Sequence, residues 1–284
     1  MPRGISLHVG LNSVDPSHYN GWDGTLGACE FDATDMQSIA NSRGFESTIL
    51  LTKSATAAAV QEAIEHAANE LGSGDFFFVT YAGHGGQVPD RNDDERRNDK
   101  NDTSDETWVL YDRQFVDDEL YDLWGKFKAG VRIFVLSDSC HSGTVARDIA
   151  AEVPDVVATA ERAAAQSPRY RALPRDIMIG TYRQHAATYD AIQKEVPPAE
   201  TLDVAATLLL VSGCQDDQLS RDGFDHGLFT EKLLGVWNNG SWTGTYARLH
   251  EEIVAQMPED QQPNYYKVGA PNADFEQQQP LTLG

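Results

Sequence analysis

Apolar residues in this chain fall into short dense runs set apart by amphipathic stretches of helical length. ISLHVGL (5–11), ESTILLT (46–52), DFFFVTY (75–81), VRIFVLS (131–137) and TLLLVSG (207–213) each have the length and β-rich makeup of a strand. Runs such as FFFVTY, without polar alternation, fit strands buried on both faces of a parallel sheet. Between them, Cys29–Ser42 spaces Phe31, Met36, Ile39 and Ala40 as a helix does. An Ala-rich stretch follows from Ser54, a favourable N-cap, to about Leu71, where Gly72 and Gly74 end it. Further helices are predicted in VDDELYDLWGKF, HGLFTEKLLGVWNN and GTYARLHEEIVAQM. TWVLYD reads as a short strand, residues 90–106 as a solvated polar loop, and the C-terminal tail as polar and irregular. Residues 145–200 carry the weakest pattern, with helical stretches and a short strand at IMIG (177–180). The rhythm of strand and helix predicts an α/β domain with a largely parallel sheet.

Composition narrows the functional classes. The chain has 284 residues, 40% hydrophobic, enough for a sizeable core. No window approaches the ~20 apolar residues of a membrane span, and the N-terminus lacks the pattern of a signal peptide. The net charge of −22 opposes nucleic-acid phosphates and favours basic ligands. Three cysteines, Cys29, Cys140 and Cys214, do not make a disulfide framework. Their free state fits a reducing compartment, so a cytoplasmic protein is expected, with neither nucleic-acid nor membrane partners.

The candidate chemistry sits at two strand ends. YAGHGG delivers His84 and DSCHSG delivers Cys140. In open α/β sheets, functional groups lie beyond the carboxyl ends of the strands. If the two strands are parallel neighbours, an imidazole and a thiol meet at one rim, as base and nucleophile. Gly85, directly after His84, and Cys140 itself offer backbone N–H groups to an oxyanion. A buried free cysteine is usually inert; the pairing of two such strand ends is what favours chemistry.

YAGHGG, DSCHSG and SGCQDDQ resemble the metacaspases and their prokaryotic relatives, the orthocaspases, within the caspase-like cysteine peptidases. The resemblance covers residue 5 to about 238 and is weakest across 145–200. It implies one caspase-like domain over 1–284: an α/β/α sandwich around a mainly parallel six-stranded sheet. Residues 1–148 would form the large part, 149–200 the connection and 201–284 the small part. It implies a His84–Cys140 dyad cleaving after arginine or lysine, with Asp138 and Asp32 binding the basic side chain and Cys29 lining the same region. The family's serine before GHG is Ala82 here. The animal caspase pentapeptide is not matched, so aspartate specificity does not carry over. Spacing agrees on one point: Asp138 and Cys140, two apart on an extended strand, point to one face.

In calcium-dependent members, acids matching Asp105, Asp117 and Asp118 hold an activating Ca²⁺; the last two also suit a helix N-terminus. A further family acid falls on Arg147, beside Asp148. His141 reads as structural. Control through calcium, self-cleavage or a partner encoded elsewhere is expected, the self-cleavage at one of Arg162, Arg169, Arg171 or Arg175. Basic peptides are the expected partners and a monomer the expected state. A second reading stays open: a catalytically silent caspase-like module that binds basic peptides or a partner protein.

Overall fold

The computed structural model describes residues 1–91, 104–140, 169–196, 203–215 and 218–284. Six strands form the central sheet: β1 (Gly4–Gly10), β2 (Glu46–Leu51), β3 (Phe76–Ala82), β7 (Arg132–Asp138), β8 (Thr207–Ser212) and β9 (Asn264–Gly269). Their order is β2-β1-β3-β7-β8-β9, all parallel except the β8–β9 pair. Every residue of β3 and β7 is buried, and alternate side chains enter opposite cores. Phe77, Val79, Ile133 and Val135 pack with one core cluster, Phe76, Phe78, Phe134 and Leu136 with the other. Burial on both faces is why these strands read as unbroken apolar runs.

Helices α2 (Ala57–Glu70) and α3 (Asp117–Gly125) cover the first face. The second is covered by α1 (Cys29–Ser42), α5 (Leu228–Trp237), α6 (Tyr246–Val254) and α7 (Ala273–Gln277). A three-stranded antiparallel sheet of β4 (Gly85–Pro89), β5 (Ser104–Val109) and β6 (Gln114–Val116) stands beyond the end of β3. The helix α4 (Arg175–Glu195), kinked at His185, lies against it. Among the described residues, no helix is long and apolar enough to cross a membrane.

Three local expectations change. IMIG lies inside α4, because its apolar residues serve a helical face rather than a strand. The cap of α2 is Thr56, whose side chain accepts from Ala59 N–H, while Ser54 closes a preceding 3-10 turn. The tail supplies β9, only partly buried, so its run lacked an apolar signal.

Candidate active site

The site is built where β3 and β7 end side by side. Ala82 pairs in register with Asp138, so His84 and Cys140 each stand two residues past the same rung. The turn after β3 is tied down by Tyr81, whose hydroxyl donates to the His84 carbonyl at 2.6 Å. Gly85 then runs so close to the end of β7 that a Cβ there would sit 1.6 Å from the Cys140 carbonyl oxygen. Only glycine fits that approach, which brings the Gly85 and Cys140 amides together.

Those two amides converge on one acceptor. Gly85 N–H donates to the Arg171 carbonyl at 3.0 Å and Cys140 N–H donates to the same oxygen at 3.2 Å. Arg171 belongs to a segment that crosses the site in extended form. Its own N–H donates to the Ser220 carbonyl at 2.9 Å, and Asp222 N–H donates to the Arg169 carbonyl at 2.7 Å. Tyr170 and Arg221 thereby form an antiparallel bridge. On the far side, Leu173 N–H donates to the Gly85 carbonyl at 2.8 Å. This is strand addition, in which main-chain bonds hold a peptide and pockets take its side chains.

The Arg171 side chain is fully buried among three carboxylates. Its guanidinium meets Asp32 at 2.5 Å, Asp138 at 2.9 Å and Asp222 at 3.1 Å. Burial opposes its charge, but Asp138, Cys29, Asp32 and Asp222 outweigh it and hold the cation well above its ordinary pKa. Each acid is braced. Asp138 accepts from Thr230 Oγ1 and Ser220 Oγ, both at 2.7 Å. Asp222 accepts from Gly27 N–H at 2.8 Å, and Asp32 contacts His226 Nδ1 at 3.0 Å. Burial raises the Asp32 pKa, with Arg171 and His226 pulling it back. Cys29 is buried beside Leu26 and Ala82, its thiol pushed well up by burial.

His84 is buried and its pKa falls to about 4, chiefly through burial. It is therefore neutral near pH 7, as a proton acceptor must be. Its Nε2 lies 3.0 Å from the Gly24 carbonyl, which assigns the proton to Nε2 and leaves Nδ1 to accept. Nδ1 has no hydrogen-bond partner among the described residues. Trp22 packs against the ring, centroids 4.7 Å apart. Cys140 Sγ does not bond to it; the sulfur accepts from Ser220 N–H at 2.7 Å. Burial, then Cys214, raises the thiol pKa well above its usual value. The two groups share a rim, with the thiol held protonated and turned to Ser220.

Of the expected residues, His84, Cys140, Gly85, Asp32, Asp138 and Cys29 lie around Arg171. Asp105, Asp117 and Asp118 stand apart, on β5 and at the start of α3. Among the described residues, no three acids, histidines or cysteines form a group able to hold a metal ion. The three aspartates thus do not by themselves make the six to eight oxygen ligands calcium takes. His141, Arg147, Asp148 and Arg162 lie outside the described residues. Sequence reasoning missed Asp222, Ser220 and Trp22; the acid ends an unremarkable SRD, and only folding brings it to the pocket.

A parallel sheet bearing a rim thiol and a neighbouring imidazole, with an acid pocket beside them, is the arrangement of a caspase-like peptidase domain. The Caspase domain family model matches residues 14–274, and the chain belongs to this family. Metacaspase-1B of Neosartorya fischeri is 27% identical, over 90% of this chain and 66% of its own length. Metacaspase-1 of Candida albicans is 29% identical, over 60% of this chain and 42% of its own. The chain thus spans two thirds or less of these relatives. A solved structure of a Geobacter sulfurreducens protein, 50% identical, superposes with a TM-score of 0.86 over 99% of both chains. Caspase-1 of Spodoptera frugiperda, 11% identical, shares the fold with a TM-score of 0.51, covering 98% of this chain and 85% of its own.

Proposed function

We propose that this protein is a cysteine endopeptidase that cleaves after arginine, and that its first substrate is its own Arg171–Ala172 bond. One observation carries the reading: the Arg171 carbonyl accepts from Gly85 and Cys140 amides while its guanidinium fills a pocket of three aspartates. A carbonyl held by two amides beside a thiol is poised for attack at its carbon. Lysine fits the same charge but lacks the planar fork that spreads over three carboxylates.

The step follows from these groups. Rotation about the Cys140 Cα–Cβ bond releases Sγ from Ser220 and brings it to the carbonyl carbon. The thiol proton passes to His84 Nδ1, the sulfur–carbon bond forms, and the oxyanion stays on the Gly85 and Cys140 amides. The carbon–nitrogen bond then breaks as His84 protonates the Ala172 amine. Water, giving its proton to His84, releases the Arg171 carboxylate from the thioester and restores the thiol. Until that cut, the chain occupies its own cleft, and other substrates are excluded.

The test is self-cleavage of the purified chain followed by N-terminal sequencing. The expected new terminus begins at Ala172, and both Cys140→Ala and Arg171→Glu chains stay whole there. Added fluorogenic peptides with arginine should outpace lysine, and aspartate should fail. Turnover of the aspartate peptide alone would overturn the pocket assignment; an intact chain inert toward every peptide would favour a silent binding module. The calcium reading rests on family resemblance alone, and the same assay with and without Ca²⁺ decides it.

A further inference from the structure

The acid pocket accounts for one residue of the extended segment, yet the segment carries a second anchor. Two positions after Arg171, Leu173 is 3% exposed and packs with Val14, Tyr19 and Val109, with Trp22 alongside. Its amide is held by the Gly85 carbonyl, the same residue whose N–H holds the Arg171 carbonyl. Gly85 therefore bonds on both sides of the Arg171–Ala172 peptide and fixes the distance from the reacting carbonyl to the Leu173 side chain. The floor is Gly86, where a Cβ would meet Leu173 Cδ2 at 3.1 Å.

Val14, Tyr19, Trp22 and Val109 come from the body of the domain, while Ile177 and Met178 of α4 pack against the same cluster. Tyr19 is locked by its hydroxyl, which donates to the Leu110 carbonyl at 2.7 Å. Val109 N–H donates to the His84 carbonyl at 3.0 Å, so the pocket wall and the catalytic turn are one hydrogen-bonded unit. Trp22 spans both, packing against the His84 ring. An apolar side chain seated there excludes water from the imidazole and registers the peptide on β4.

Resting on the arginine-directed reading, we infer that this pocket is a second specificity site of the peptidase. It selects substrates bearing a large aliphatic residue two positions after the cleaved bond. Arginine sets where the chain is cut, and the second site sets which arginines are cut. Nearby Arg169 and Arg175 illustrate the difference: the residues two positions after them are Arg171 and Ile177. Arg169 thus fails at the second site. Arg175 lies in the first turn of α4, where it cannot extend through the cleft.

The experiment uses quenched peptides of sequence RYRALPR in which only the position of Leu173 varies, given to the self-processed protein. Leucine and methionine should exceed glycine, aspartate and lysine by roughly tenfold or more in kcat/KM. In parallel, the self-cut of Leu173→Asp and Leu173→Met chains is timed, and the Cys140→Ala forms are melted to verify folding. The aspartate chain should cut at least roughly tenfold more slowly and the methionine chain nearly normally. Equal cleavage of all peptides after arginine would overturn the second site and leave the arginine reading standing. Failure of every peptide with self-cleavage intact leaves the timed series to decide: equal rates there overturn the proposal, unequal rates support it. Failure of both peptides and self-cleavage removes the arginine reading, and this site with it. Val14→Asp supplies a pocket-side variant, in which lysine peptides should gain on leucine peptides.

Discussion

His226 stands at the edge of the acid pocket with Nδ1 3.0 Å from Asp32 and Nε2 3.4 Å from Asp35. Its pKa is raised, first by the Asp32 hydrogen bond and also by the charges of Asp35 and Asp225, against the opposing pull of burial. A raised folded-state pKa means that its stabilisation is complete below about pH 6.5 and fades as pH climbs through the folded value. The His226→Gln chain should therefore lose stability relative to the parent at acidic pH and converge with it at alkaline pH. Thermal melting across that range checks the sign. The difference should stay below roughly 4 °C, because the ring is partly solvated. Asp32 was expected in the pocket only through the family resemblance of the GACEFDATD stretch. Asp222 was not, since its role depends on meeting Arg171 across 51 residues.

At the scale of elements, the decisive contact is the crossing of the β3–β4 connection over the end of β7. Gly85 can approach the Cys140 carbonyl only without a Cβ. Gly85→Ala should push β4 outward and spoil one of the two amide donors to the reacting carbonyl. The expected cost is on the order of 10²–10³ in kcat, with KM changed far less. Kinetics on an arginine peptide measure that split, and a melting curve near that of the parent shows that the fold survives. Both strands were readable from their apolar runs; that they are parallel neighbours was a condition of the reading, which the register of β3 and β7 meets. That Gly85 begins a strand was not readable. Its partner is Trp108 on β5, beyond a long polar stretch, and β-pairing over such distances leaves no local trace.

Taken whole, the molecule carries 44 acidic against 22 basic residues. A field of that sign would attract the proposed cationic peptides and speed their encounter with the protein. For arginine peptides, kcat/KM should fall roughly tenfold from low to ~0.5 M salt, as screening shortens the field. A stopped assay over a salt series, with kcat followed separately, tests this; a fall in kcat alone would contradict steering. The pocket charge is a separate matter. Arg171 offsets only part of the three aspartates around it. Under the proposed self-cut, departure of that arginine would leave buried carboxylates wanting another cation, which would favour capture of a further basic substrate.

The order of apolar runs and helical stretches determined the layered α/β architecture, because burial on two faces writes itself directly into a strand's composition. Strand-end motifs likewise pointed to His84, Cys140 and Asp138 at one rim, but not to Asp222. Only the tertiary structure decided what fills the cleft. The segment around Arg171 has no distinctive local pattern. Its place follows from main-chain bonds to Ser220, Asp222 and Gly85, and from charge and apolar contacts made far along the chain. Those contacts arise from chain crossings, and no stretch of neighbouring residues encodes them.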